Sequence, residues 1–107
     1  MQYMVLTFQQ YRQSDAAAFL ELETQFRELE ARTPGLPRGD RYRLRTGAEA
    51  TETLLWKFEV SSLREAEDTL RKLAEDPTHA LLLEKQLPLI ANARTEIYEL
   101  HDLQPHE

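Results

Sequence analysis

The sequence predicts one α+β domain built in the order β-α-β-β-α-β. Three observations carry this: short segments rich in aromatic and β-branched residues, longer segments between them with apolar residues at helical spacing, and a short glycine-containing loop joining the middle two strands. A chain of 107 residues is the usual size of one compact domain. Residues 1–103 are expected to form that domain and residues 104–107 a flexible C-terminal tail.

Gln2 to Tyr11 carries apolar side chains on both alternating faces, with Tyr3 and Val5 on one and Met4, Leu6 and Phe8 on the other, which reads as a strand buried on both sides. Ser14 is placed to cap the next helix, and Asp15 lies near the positive end of its dipole. Phe19, Leu22, Phe26 and Leu29 form one apolar stripe, while Glu23 with Arg27 and Glu28 with Arg32 are i,i+4 pairs assigned to the outer surface. Thr33-Pro34-Gly35 ends the helix, and Leu36 to Gly39 continues as loop.

Asp40 to Thr46 alternates Tyr42 and Leu44 with Arg41, Arg43 and Arg45, a half-buried strand, and Gly47 to Thr51 is the turn. Thr53 to Val60 then places Leu54, Trp56, Phe58 and Val60 on one face and Leu55 and Lys57 on the other. Ser62 and Glu65 form a capping box that opens a second helix with Leu63, Ala66, Leu70 and Leu73 inward. Asp76-Pro77 interrupts it, because proline disfavours helical geometry in the residue before it yet suits a new first turn. A short third helix follows from Thr78 to about Leu87, and Arg94 to Leu100 is the last strand. Adjacent antiparallel strands with two crossovers give a four-stranded sheet with helices on one face, the ferredoxin-like arrangement.

Composition narrows the function. A formal charge of −6 argues against nucleic acid and anionic membrane as partners, since both would repel the chain. The absence of cysteine removes disulfides, thiolate metal sites, Cys nucleophiles and iron–sulfur clusters. No basic start with an apolar run and no apolar stretch of membrane-spanning length occurs, so a cytoplasmic location is expected.

Two helices cover only one side of four strands. Tyr3, Val5 and Leu55 are expected on the uncovered side, where each large apolar side chain left wet forgoes roughly 1.5–3 kcal/mol. A second copy related by a two-fold axis, sheet against sheet, is the simplest cover, so a homodimer is expected.

The β-α-β-β-α-β order, Trp56-Lys57-Phe58, Asp76-Pro77-Thr78-His79 and the closing Arg94-Thr95-Glu96-Ile97-Tyr98-Glu99-Leu100 together resemble the dimeric α+β barrel superfamily, over nearly the whole chain. That group includes antibiotic-biosynthesis-type monooxygenases, haem-degrading monooxygenases, NIPSNAP-like proteins and stress-responsive barrel proteins. The resemblance implies sheets that close into a barrel at a dimer interface, and a small apolar pocket between each sheet and its helices. It also implies a monooxygenase-like enzyme that transforms a small aromatic substrate without metal or organic cofactor, or else a non-catalytic small-ligand or stress-related barrel protein.

Within that frame Trp56, Phe58 and Phe8 are expected on one face, as an aromatic wall for a flat ligand. His79, near the start of the short helix, is the proton-transfer candidate, because the helix dipole disfavours its charged form and so suits a neutral base. Asn92 and Arg94 are the accompanying polar candidates. Trp56 matches the strand-three tryptophan of the haem degraders, but Thr7 and Gln9 stand where their asparagine is needed. Leu81, Leu82 and Leu83 stand where the iron-ligating histidine belongs, so haem degradation is disfavoured. No histidine pair has ligand spacing, so no metal site is expected. Arg41, Arg43 and Arg45, with Arg38 just before, form the one basic cluster: a guard on an edge strand, a receiver of an anionic ligand, or a partner for acidic groups of a second subunit.

Overall fold

In the computed structural model, which describes residues 2–47, 52–101 and 103, the alternating segments become four strands and the periodic ones three helices. They run β1 (Tyr3–Tyr11), α1 (Ala16–Arg32), β2 (Asp40–Arg43), β3 (Thr53–Val60), α2 (Leu63–Glu75), α3 (Pro77–Gln86) and β4 (Ile90–Glu99). The strands form one antiparallel sheet in the order β2-β3-β1-β4, the ferredoxin-like arrangement. Most of the expected turn after Gly47 and the expected tail at 104–107 lie outside the described residues.

The punctuation of the chain explains the helix limits. Ser62 accepts the Glu65 N–H at 3.0 Å, and the Glu65 carboxylate reaches back to the Ser61 N–H at 2.8 Å, one residue beyond the usual capping-box partner. Asp76 caps α3 by accepting the His79 N–H at 2.8 Å, with Pro77 at the first helical position. Ser14 is not the cap of α1. It lies in a 3₁₀ turn (Gln13–Asp15), the Asp15 carboxylate is held by Arg12 at 2.9 Å, and the helix begins only at Ala16. β4 starts before Arg94 because Leu89 and Ile90 pack on the Tyr11, Phe19 and Leu54 cluster and Ile90 pairs with Tyr11 across a register shift.

Register decides which side chains share a face. Directly opposed residues on antiparallel strands project to the same side, so Val5 opposite Phe58 and Thr7 opposite Trp56 lie with them under the helices. Val5 is fully buried with Phe58, Val60 and Ala66, and Tyr3 packs against that cluster. The uncovered face instead carries Met4, Leu6 and Phe8, with Phe8 opposite Leu55. The expected placement of Tyr3, Val5 and Phe8 is therefore reversed. A strand apolar on both faces gives no parity by itself, and only its pairing with β3 fixes it. β2 is reversed in the same sense: Arg41 lies opposite Trp56 on the covered face, and Tyr42, opposite Leu55, is exposed.

Phe19 anchors one end of the core. It is fully buried and stacks on Tyr11 with ring centroids 4.2 Å apart. Phe19→Ala is expected to cost about 3–5 kcal/mol in urea unfolding, the usual penalty for emptying an aromatic core site. A loss under about 1 kcal/mol would mean that the site collapses around the smaller side chain.

Candidate functional site

Between the covered sheet face and the helices lies a cavity of about 260 Å³. Its polar side is built from α1 outward. Glu23 and Glu30 are two helical turns apart and so lie on one face, each one turn beyond a core aromatic, Phe19 and Phe26. Both carboxylates point inward, with Glu23 only 5% and Glu30 only 4% exposed. Arg41 enters from the edge strand to meet them. Its Nε donates to Glu23 Oε1 at 2.9 Å, and Nη1 and Nη2 donate to the two Glu30 oxygens at 3.1 and 2.7 Å. Gln86, fully buried on α3, donates from Nε2 to Glu23 Oε2 at 2.6 Å, and Gln9 reaches Gln86 at 3.5 Å. A bidentate fork of this kind is among the stronger polar contacts in proteins. Burial pulls the proton affinity of Arg41 down, but the hydrogen bonds and charges of Glu30 and Glu23 more than offset it, so its pKa is raised.

This network corrects two expectations. Glu23 faces the interior and bonds Arg41 and Gln86, rather than pairing with Arg27 on the outer surface. Arg41 is consumed by carboxylates of its own chain, whereas Arg43 and Arg45 on the same alternation are exposed. A signal was present in the sequence: Glu23 and Glu30 interrupt the apolar stripe of α1 at i+4 from Phe19 and Phe26, positions that face the core.

The apolar side of the cavity includes Trp56, Phe26, Leu70, Leu73 and Leu83. The Trp56 ring lies 5.0 Å from Phe58, and the Arg41 guanidinium is 5.7 Å from its centroid. Its indole Nε1 is buried without a hydrogen-bond partner, against Gly39. A Cβ on residue 39 would sit 1.7 Å from that nitrogen, so the close approach of the loop to the indole requires glycine there.

His79, half-buried on the first turn of α3, lines the same cavity, and its ring lies 4.9 Å from Phe26. Burial lowers its pKa below the ordinary 6.5. Asp76, Glu30 and Glu23 pull the other way, and Arg41 adds to the lowering. The imidazole is therefore neutral at pH 7, as a general base requires.

The remaining expected site residues lie elsewhere. Phe8 projects from the opposite sheet face, with the Arg94 guanidinium 4.0 Å from its ring centroid. Asn92 and Arg94, opposite Gln10 and Phe8 in β4, share that face: Asn92 donates to Gln10 at 3.4 Å and Arg94 approaches Glu96 at 3.6 Å. None of the three can meet His79, because the sheet intervenes. Phe58 backs Trp56 and borders a separate open cleft of about 470 Å³ beside α2. Trp56 and His79 are the expected residues that the fold brings together. Thr7 and Thr95, whose hydroxyls are 3.1 Å apart, also line the cavity and were not anticipated. Among the described residues, no helix is long and apolar enough to cross a membrane, and no three His, Asp or Glu side chains cluster to hold a metal ion.

No protein-family model and no curated protein matches this chain. Solved structures do. A NIPSNAP family protein from Agrobacterium tumefaciens superposes with a TM-score of 0.75 at 16% identity, over 95% of this chain and 88% of that one. A NIPSNAP domain protein from Burkholderia xenovorans gives 0.74 at 10% identity, over 97% and 99%. A candidate antibiotic biosynthesis monooxygenase from Nitrosomonas europaea gives 0.66 at 16% identity, over 90% and 95%. At such identities the likeness is one of architecture: this chain has the ferredoxin-like α+β fold of the NIPSNAP and antibiotic-biosynthesis-monooxygenase structures.

Proposed function

We propose that the chain is a cytoplasmic homodimer that binds a small aromatic molecule between sheet and helices, and that it is a monooxygenase-like enzyme with His79 as its base. The observation that carries the reading is the juxtaposition, in one cavity of about 260 Å³, of an apolar wall containing Trp56 and a half-buried neutral imidazole. Such a cavity suits a small, flat ligand. His79 would take a proton from an acidified C–H or O–H of the substrate, and the nearby Glu23 and Glu30 carboxylates would stabilise the imidazolium that forms. The resulting electron-rich anion can be oxidised by dioxygen without an outside reductant. For an activated methylene the balance is CH₂ + O₂ → C=O + H₂O. The kinship in fold with a candidate monooxygenase supports this reading.

The second reading, a non-catalytic binding protein, draws on a different observation: Glu23, Glu30, Arg41 and Gln86 hydrogen-bond one another, which leaves His79 as the one titratable side chain outside that network among the described lining residues. Oxygen uptake with anthrone, a methylene flanked by two rings, separates the two. Turnover should rise with pH to a midpoint below 6.5 and be flat above neutrality, because the active form of His79 is the deprotonated one. His79→Ala should lower the rate by about 10²–10⁴-fold, the usual worth of a general base. Wild-type turnover in the variant would remove His79 from the mechanism, and binding without oxygen uptake would favour the non-catalytic reading.

The dimer reading rests on the uncovered sheet face, where Met4, Tyr42 and Tyr98 are exposed beside Phe8 and Leu55. Sedimentation at micromolar concentration should give a particle of twice the 12.5 kDa chain mass, and a stable monomer would overturn this part of the proposal.

A further inference from the structure

The charges around the cavity say which aromatic ligands it would accept. Two carboxylates, Glu23 and Glu30, share one guanidinium, and among the described lining residues Arg41 is the only lysine or arginine. Gln9, Gln86, Thr7 and Thr95 are uncharged, so the lining carries one formal negative charge in excess. Three of the five N–H donors of Arg41 are already committed to those carboxylates, so it does not stand as a receptor for an anion. Each Glu23 oxygen accepts one bond, from Arg41 or from Gln86, and keeps lone-pair capacity for a further donor. Trp56 adds an aromatic face in the same wall, to which a cation is attracted and an anion is not.

We infer that the cavity selects aromatic ligands bearing a cationic or hydrogen-bond-donating group, such as an ammonium, and rejects carboxylates of the same skeleton. This inference rests on the small-molecule reading of the cavity given above and specifies its ligand class. It also opposes the anion-receiving reading of the arginine-rich edge strand, whose inward-facing Arg41 is outnumbered by its own partners. Water is largely excluded from the carboxylates, so the excess charge is weakly screened and its sign dominates selectivity.

Three probes of one shape test it: 2-naphthylmethylamine, 2-naphthalenemethanol and 2-naphthoate, titrated into the wild-type protein. The single Trp56 indole N–H resonance reports binding from within the cavity. The amine is expected to bind at least about tenfold more tightly than naphthoate, with the alcohol between them, as like-charge rejection in a desolvated site requires. Glu23→Gln removes the excess charge with little change of shape, and the gap between amine and carboxylate should narrow. Naphthoate binding as tightly as the amine in the wild-type protein would overturn the inference, whether or not the variant folds. If the alcohol binds while the ordering fails, the ligand class is wrong and the cavity reading stands. If none of the three shifts the indole resonance, the cavity reading itself falls, and this inference with it.

Discussion

The bidentate contact of Arg41 with Glu30, extended by Glu23 and Gln86, is the constraint on which the rest of the architecture turns. It joins the edge strand β2 to α1, the element before it, and through Gln86 to α3, far along the chain. Strand β2 is short, four residues, and offers little apolar surface of its own. Without the guanidinium pulled inward, nothing in the alternation of Tyr42 and Arg41 would favour burying the arginine side. Removing charges from water is costly, and only near-complete pairing offsets it. The geometry meets that condition, since both Glu30 oxygens and both Glu23 oxygens are hydrogen-bonded.

The same contact shapes the cavity. Because Arg41 lies opposite Trp56, the network forms a polar side against the indole wall, and Gly39 allows the loop before β2 to close on the indole nitrogen. His79 arrives from the other direction, placed by the Asp76 cap at the start of α3. Its basicity reflects a contest in which desolvation wins over three carboxylates. A proton accepted there would be met by acidic groups already fixed in place, an environment that needs little reorganisation.

Much of the fold was legible because its signals are local. Element order, the Ser62–Glu65 cap, the Asp76-Pro77 break and the pairing of β2 with β3 all follow from short stretches of chain. Of the expected site residues, Trp56 and His79 line one cavity. What failed was parity. β1 is apolar on both sides, so Phe8 was assigned to the wrong face, and with it the register logic that would have excluded Asn92 and Arg94. The buried network was missed for a related reason. Glu23 with Arg27 satisfies a familiar helix-surface spacing, whereas its actual partner is 18 positions away and on another element. The clue was the break in the apolar stripe of α1, and it acquires meaning only once a cation is known to face it.

The central claim, that a buried ionic network fixes β2 and the cavity, is tested most directly by urea unfolding of Arg41→Met, which keeps much of the aliphatic stem while removing the charge. Leaving two desolvated carboxylates unpaired should lower stability by about 3–5 kcal/mol. Stability within about 0.5 kcal/mol of the wild-type protein, the range of ordinary surface changes, would contradict it.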